Sequence, residues 1–240
     1  RELRLPFCFP GMVRVTACRL MRLLIHLPDP CGGRCIISIP AASLADLDDQ
    51  GSEPMQRYLL TEYADACAES RAVYDDFMRT TGATSVPLWL RSLGHSAALS
   101  RAYWERAKGT LFGGSLPLPL KEMIVFVVSA KNGARYCSAC HAQSVLSLDK
   151  TLAFDDLKGF FGSDAAANLP AYYRTVVDFA SKVVADANRV TDEDFEVLMD
   201  DGFSKEEICE IIAVIDLATM FNVYTSTLRL DLDPEYRAIL

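Results

Sequence analysis

The chain has 240 residues, 50% hydrophobic and 23% charged, enough for one cored domain with room for an appendage. A formal net charge of −8 and a pI near 4.9 argue against a nucleic-acid partner, which needs clustered Lys and Arg. No run approaches the ~18–20 uninterrupted apolar residues of a membrane span, so no membrane partner is expected. Eight cysteines are too sparse for a disulfide scaffold in a chain of this length.

The head, residues 1–45, differs from the rest. It holds six Arg, two acids and four cysteines (Cys8, Cys18, Cys31, Cys35), leaving 18 bases against 30 acids elsewhere. Pro6, Pro10, Pro28, Pro30 and Pro40 interrupt any helix, and its apolar runs lack periodicity. The cysteine spacing matches no common zinc pattern. An Arg-rich, acid-poor head is also the composition of a transit peptide, and Met12, Met21 and Met55 are candidate internal starts. The expectation is a poorly structured N-terminal extension over 1–50 and a single all-α domain over 51–240. A chain starting at Met55 is expected to keep its helical signal and any activity.

From Ser52 onward the pattern is helical. Apolar residues at helical spacing over Glu53–Arg79 predict a first helix that stops at Thr80-Thr81-Gly82. Pro87 opens a short one, Leu88 to Leu93. Ser96 caps the next, through Leu99, Tyr103, Trp104 and Ala107. Two helices flank Asn132-Gly133, and a short one covers Leu152 to Phe161. A long one follows Pro170. Thr191…Asp194 and Ser204…Glu207 are capping boxes launching two final helices, the last from Glu206 to about Thr227 and apolar enough to be buried. Cys67 and Cys209 read as small core residues, and His95 as structural or solvated.

The chemistry concentrates at 117–147. An apolar helix carrying one acid, Glu122, runs into the Asn132-Gly133 break, and the next helix opens with Cys137-Ser-Ala-Cys140-His141. Positions three and four apart are helical neighbours, so Cys140 and His141 both flank Cys137. Thiols one turn apart lie ~5 Å apart at Cα, within reach of a disulfide. A helix N-terminus and a neighbouring imidazolium both favour the reactive thiolate. Such a pair suits a reducing compartment, and the chain is placed in the cytoplasm, with organellar targeting by the head left open. Cys-x-x-Cys-His is also the haem c attachment pattern, but no export signal or clear second axial ligand accompanies it. A zinc site from Cys137, Cys140 and His141 is geometrically awkward on one helix, so neither cofactor nor metal is expected.

Lys121-Glu-Met-Ile-Val-Phe-Val-Val-Ser-Ala-Lys-Asn-Gly133, followed by Tyr136-Cys137-x-x-x-His141, resembles the alkylhydroperoxidase D (AhpD)-like and carboxymuconolactone decarboxylase superfamily. Gly202-Phe-Ser-x-Glu-Glu-Ile with Phe221-Asn222 is similar to the family's closing helix, and the resemblance covers about 55–235. It implies an all-α domain of helical hairpins, assembled as a trimer or hexamer. Counted from Glu122, the family's second cysteine falls on Cys137 and its histidine on His141. Its first cysteine falls on Ala134, and its additional histidine on Tyr136. The dithiol is therefore displaced by one turn, to Cys137/Cys140.

The implied activity is a thiol peroxidase. Cys137 attacks an organic hydroperoxide, Cys140 resolves the sulfenic acid to a disulfide, and an external dithiol reduces it, with His141 and Glu122 moving protons. The alternatives are a decarboxylase-like lyase using His141 and Glu122, and a non-catalytic redox-sensing helical module.

Overall fold

The computed structural model describes residues 24–28, 34–38, 57–158, 160 and 169–237. The chain divides into two compact units, Arg1–Met55 and Gln56–Leu240. In the first, β1 (Leu24–Pro28) pairs antiparallel with β2 (Arg34–Ser38), Leu24 opposite Ser38 and Pro28 opposite Arg34. Periodicity alone misses this hairpin. Its signal is two short apolar runs flanking Asp29-Pro30-Cys31-Gly32-Gly33, a turn-forming composition. The other expectations for the head fall on residues outside the described ones.

The second unit is all α among its described residues. Its helices are α1 (Ala68–Thr81), α2 (Leu88–Leu93), α3 (Ala97–Leu111), α4 (Leu118–Lys131), α5 (Arg135–Leu148), α6 (Phe154–Lys158), α7 (Ala171–Asp186), α8 (Asp192–Asp200) and α9 (Lys205–Leu228). Helix α1 begins at Ala68, well after the Glu53 that periodicity predicts. The preceding segment is held by tertiary bonds that a helix would break. Thr61 N–H donates to Arg91 O at 3.0 Å, and the Tyr58 hydroxyl to Asp231 at 3.3 Å. Its end is as expected, with Gly82 left-handed and its N–H on Met78 O. Ser96 accepts from Leu99 N–H, and Ser204 and Glu207 exchange both bonds of a capping box.

Helix α4 is the core helix, and every residue from Leu120 to Ser129 is buried. Pro117 and Pro119 stand where the missing N–H costs no hydrogen bond. It packs against α5, α7 and α9. Helix α9 has the length and hydropathy of a membrane-spanning segment, yet Ile208, Ile211, Val214, Ile215 and Leu217 bury one side of it in this core. Ile212 lies on the exposed side, as does Cys209. Cys67 is exposed too, so the expectation that both cysteines sit in the core is wrong. Each stands one residue off a buried position.

Two apolar clusters form the interior. One joins α4, α7, α8 and the first half of α9. The other joins α1, α2, α3, the end of α9 and the segment after it. Helix α5 and the residue before it span both, giving Ala134, Tyr136, Cys137 and Ala139 to the second and Ala142 and Val145 to the first.

Lys121 is fully buried inside α4. Its ammonium reaches the carbonyls of Thr110 and Gly113 and the carboxylate of Glu210 on α9. Glu210 also accepts from Ser115 N–H at 2.9 Å and Leu116 N–H at 3.3 Å, pinning the loop between α3 and α4. Gly114 has φ +78°, and a Cβ there would collide with the Glu210 carboxylate. Removing one partner of such a pair leaves a buried charge uncompensated, which costs about 3–5 kcal/mol. Glu210→Ala is therefore expected to lose that much in urea denaturation, and Lys121→Met clearly less. Equal small losses would mean that the pair is not what fixes the loop.

Candidate active site

The turn between α4 and α5 sets the site. Ala134 N–H bonds Ser129 O at 2.9 Å and Gly133 N–H bonds Ala130 O at 3.1 Å, the double closure of a Schellman motif. Gly133 supplies its left-handed residue at φ +64°, where a side chain would be strained. Ala134, the first residue beyond, is fully buried. The chain thus folds α5 back along α4, and Ser129 on α4 donates to Asn222 on α9 at 2.9 Å.

All four residues singled out from the sequence come together. The Glu122 carboxylate meets His141 Nδ1 at 2.6 Å, and their side chains are only 7% and 17% exposed. A carboxylate only accepts, so Nδ1 carries the proton and Nε2 is the nitrogen left to exchange one. Glu122, His141, Cys137 and Cys140 line one cavity of about 400 Å³. Its wall is aromatic. Phe77 stands edge-on to Trp89 and Trp104 at 6.0 and 5.1 Å, and Trp89 meets Phe221 at 5.0 Å. Trp104 Nε1–H donates to Asp76 at 2.6 Å, which fixes that ring.

The thiols differ from expectation. A helix N-terminus favours thiolates, but here burial wins and pushes the Cys137 thiol up to about 11. Cys140 is pushed up further, by burial first and then by the Glu122 charge. Among the described residues neither sulfur hydrogen-bonds His141. Cys137 instead meets Thr225 Oγ1 at 3.3 Å, and Thr225 donates its own proton to Phe221 O at 2.9 Å. The resting Cys137 S–H therefore donates to Thr225. On ionisation the Thr225 hydroxyl has to turn and donate to sulfur.

Three further site residues, Thr225, Asp233 and Tyr236, escape sequence reasoning. After Arg229, left-handed at φ 53°, the chain leaves α9 and buries Leu230 and Leu232. Asp233 accepts from Leu88 N–H at 3.1 Å and from the Tyr136 hydroxyl at 2.5 Å. Tyr136, where the resemblance leads one to expect a histidine, is thus engaged with Asp233. A 3-10 turn, Pro234–Tyr236, then packs on α5 and brings Tyr236 to the cavity. Only the separation of these residues from the motif hid them.

Solved structures share this architecture. A peroxidase-related protein from Ralstonia eutropha JMP134, described as an alkylhydroperoxidase AhpD core, superposes with a TM-score of 0.68 at 25% identity, over 77% of this chain and 96% of that one. The chain has the AhpD-like fold. A peroxidase-related protein from Silicibacter sp. TM1040 gives 0.65 at 26% identity, over 78% and 97%. A variant of the debrominase Bmp8 in complex with 2,3,4-tribromopyrrole gives 0.61 at 19% identity, over 78% and 96%. No family model matches the chain, and no curated protein matches it either. The AhpD-like fold thus houses both peroxidase-related proteins and a debrominase.

The thiol environment has a direct consequence. Because the folded protein holds Cys137 protonated at neutral pH, its alkylation in Cys140→Ala is expected to climb roughly tenfold per pH unit from neutrality towards the thiol's value of about 11. Thr225→Val keeps the shape, removes the donor, and is expected to slow that alkylation about tenfold. A plateau near neutral pH, measured by mass spectrometry of the labelled peptide, would contradict the assigned environment.

Proposed function

We propose that the chain is a thiol-dependent peroxidase of organic hydroperoxides, with Cys137 as the attacking thiol and Cys140 as the resolving one. The observation that carries this reading is the Glu122–His141 pair lining the same largely apolar cavity as the two cysteines. The aromatic wall suits an apolar peroxide tail, and burial there strengthens electrostatic steering of the peroxide head.

Cys137 gives its proton through a water to His141 Nε2, and Glu122 stabilises the resulting imidazolium. The thiolate forms a bond to the terminal peroxide oxygen and the O–O bond breaks. The leaving alkoxide takes the proton back from His141 and departs as alcohol. Cys137 is left as a sulfenic acid. Cys140 displaces water from it, and an external dithiol exchanges with the disulfide to restore both thiols. A thiol that rests protonated matches this scheme, since it ionises only when base and substrate are both in place.

A second reading is thiol-driven dehalogenation of a halogenated aromatic. It is favoured by the aromatic wall and by Cys137 alone standing at the family's cysteine positions, Ala134 being at the other. The lyase and redox-sensor alternatives gain no comparable observation.

Stopped-flow consumption of cumene hydroperoxide by the pre-reduced chain separates these readings. Cys137→Ser is expected to lose the single-turnover step by at least about a thousandfold, since a hydroxyl is a far weaker nucleophile at neutral pH. Cys140→Ser is expected to keep the first step and accumulate sulfenic acid at Cys137. Equal loss of the first step in both variants would overturn the division of labour. Turnover of a bromopyrrole but not of the peroxide would favour dehalogenation.

A further inference from the structure

We propose that the substrate this cavity selects is a neutral aromatic hydroperoxide whose ring seats against Trp104, with Asp76 as the positioning residue that holds Trp104 for it. This deepens the peroxidase reading and rests on it for the peroxide group, but the ring subsite is read from the cavity wall independently.

Two unlike sets of residues line the cavity. Glu122, Cys137, Cys140 and His141 come from α4 and α5. The aromatic wall comes from four other helices, with Phe77 on α1, Trp89 on α2, Trp104 on α3 and Phe221 on α9. These rings meet edge to face. Phe77 stands at 77° to Trp89 and 67° to Trp104, and Trp89 at 82° to Phe221. Tyr103 adds a further edge-on contact to Phe221 at 5.6 Å. Interlocked in this way, no ring can turn without displacing its neighbours. An aromatic guest extends the same pattern, whereas a saturated guest of equal size gains burial but no ring geometry.

Trp104 is the ring most firmly held. It is 2% exposed, and its Nε1–H donates to Asp76 at 2.6 Å. Asp76 stands next to Phe77 on α1, and Lys108 one turn beyond Trp104 on α3 donates to it at 2.8 Å. Arg79 pairs with the same carboxylate. Lys108 first, and then the indole N–H, hold Asp76 below the ordinary carboxylate range, so it stays a charged acceptor. One carboxylate thus ties the two ring-bearing helices together at the wall.

The lining also selects against charge. Among the described residues that line the cavity none is Lys or Arg, and His141 is already joined to Glu122 at 2.6 Å. Lys108 and Arg79, the cations tied into the wall, are engaged with Asp76. The exposed lining residues Thr81, Ala83, Phe112, Ser147 and Leu148 are uncharged as well. A carboxylate on the guest would lose its water, find no cation and meet the Glu122 carboxylate of like sign.

Both tryptophans of the chain line the cavity, so intrinsic fluorescence of the reduced full chain reports its occupancy. The probes are cumyl alcohol, which lacks the peroxide group, its analogue with a saturated ring, and its para-carboxylate. Cumyl alcohol is expected to bind about fivefold more tightly than the saturated analogue, although the latter is the more hydrophobic. The carboxylate is expected to bind about a hundredfold more weakly than cumyl alcohol. Trp104→Leu is expected to erase the preference for the aromatic ring. Asp76→Ala is expected to weaken cumyl alcohol about fivefold and the saturated analogue hardly at all. Asp76→Asn, whose Oδ1 still accepts from the indole, is expected to restore the preference, which a general loss of stability would not do. Equal affinity for the carboxylate, or for the saturated analogue, in the parent chain would overturn the proposal whether or not the variants fold. Should the parent chain consume no hydroperoxide, the peroxidase reading fails, while these affinities still decide whether the wall selects a neutral ring.

Discussion

The contact between Glu122 and His141 is the constraint on which the rest of the site depends. Helix α4 is buried along ten successive residues, so a carboxylate within it is largely shut off from solvent and needs a partner. That partner sits on the following helix and reaches it only because the Gly133 turn folds α5 back along α4. The same α4 carries Lys121 one residue earlier, which points elsewhere and is neutralised by Glu210 and two carbonyls. Two adjacent buried charges thus serve separate ends. One fixes the loop before α4, and the other prepares a basic imidazole nitrogen beside two thiols.

The site trades resting reactivity for shelter. Burial among aromatic rings keeps both thiols protonated at rest, which opposes the usual benefit of a helix N-terminus. The cost falls on the ionisation step. Thr225 on α9 meets Cys137 with its hydroxyl, and the Glu122–His141 pair stands ready for the proton. The α4–α5 hairpin brings the motif together, and the segment after α9 locks onto α2 and Tyr136 through Asp233. Tyr136 serves the framework through its bond to Asp233.

Much of this is legible in the sequence wherever local chemistry decides. Ser96, the Ser204–Glu207 box, Gly82 and Pro170 mark helix ends through bonds within a few residues, and the structure places those ends accordingly. Glu122, Cys137, Cys140 and His141 are legible because two adjacent helices with a glycine turn between them bring fixed positions together. What escapes is what distant contacts decide. The late start of α1 follows from Thr61 and Tyr58 bonding residues far along the chain, against a periodicity that reads as helix. Cys67 and Cys209 lie one residue off the buried positions of their neighbourhoods, a difference too small for pattern reading. The burial of Lys121 depends on Glu210, far along the chain on α9, which is folded against it. Asp233 and Tyr236 carry no motif at all, and Tyr136 meets Asp233 across 97 positions.

The central claim is that Glu122, through His141, moves the proton that Cys137 must lose and the peroxide must gain. The most direct measurement is the single-turnover rate of cumene hydroperoxide consumption by Glu122→Gln across neutral pH, set against the parent chain. Gln keeps the shape and still accepts from His141, but it removes the charge that favours the imidazolium. General acid–base assistance of this kind contributes about a hundredfold to ten-thousandfold. The account predicts a loss in that range at neutral pH that shrinks as pH rises and Cys137 ionises unaided. A Glu122→Gln variant that attacks the peroxide as fast as the parent at every pH would contradict it.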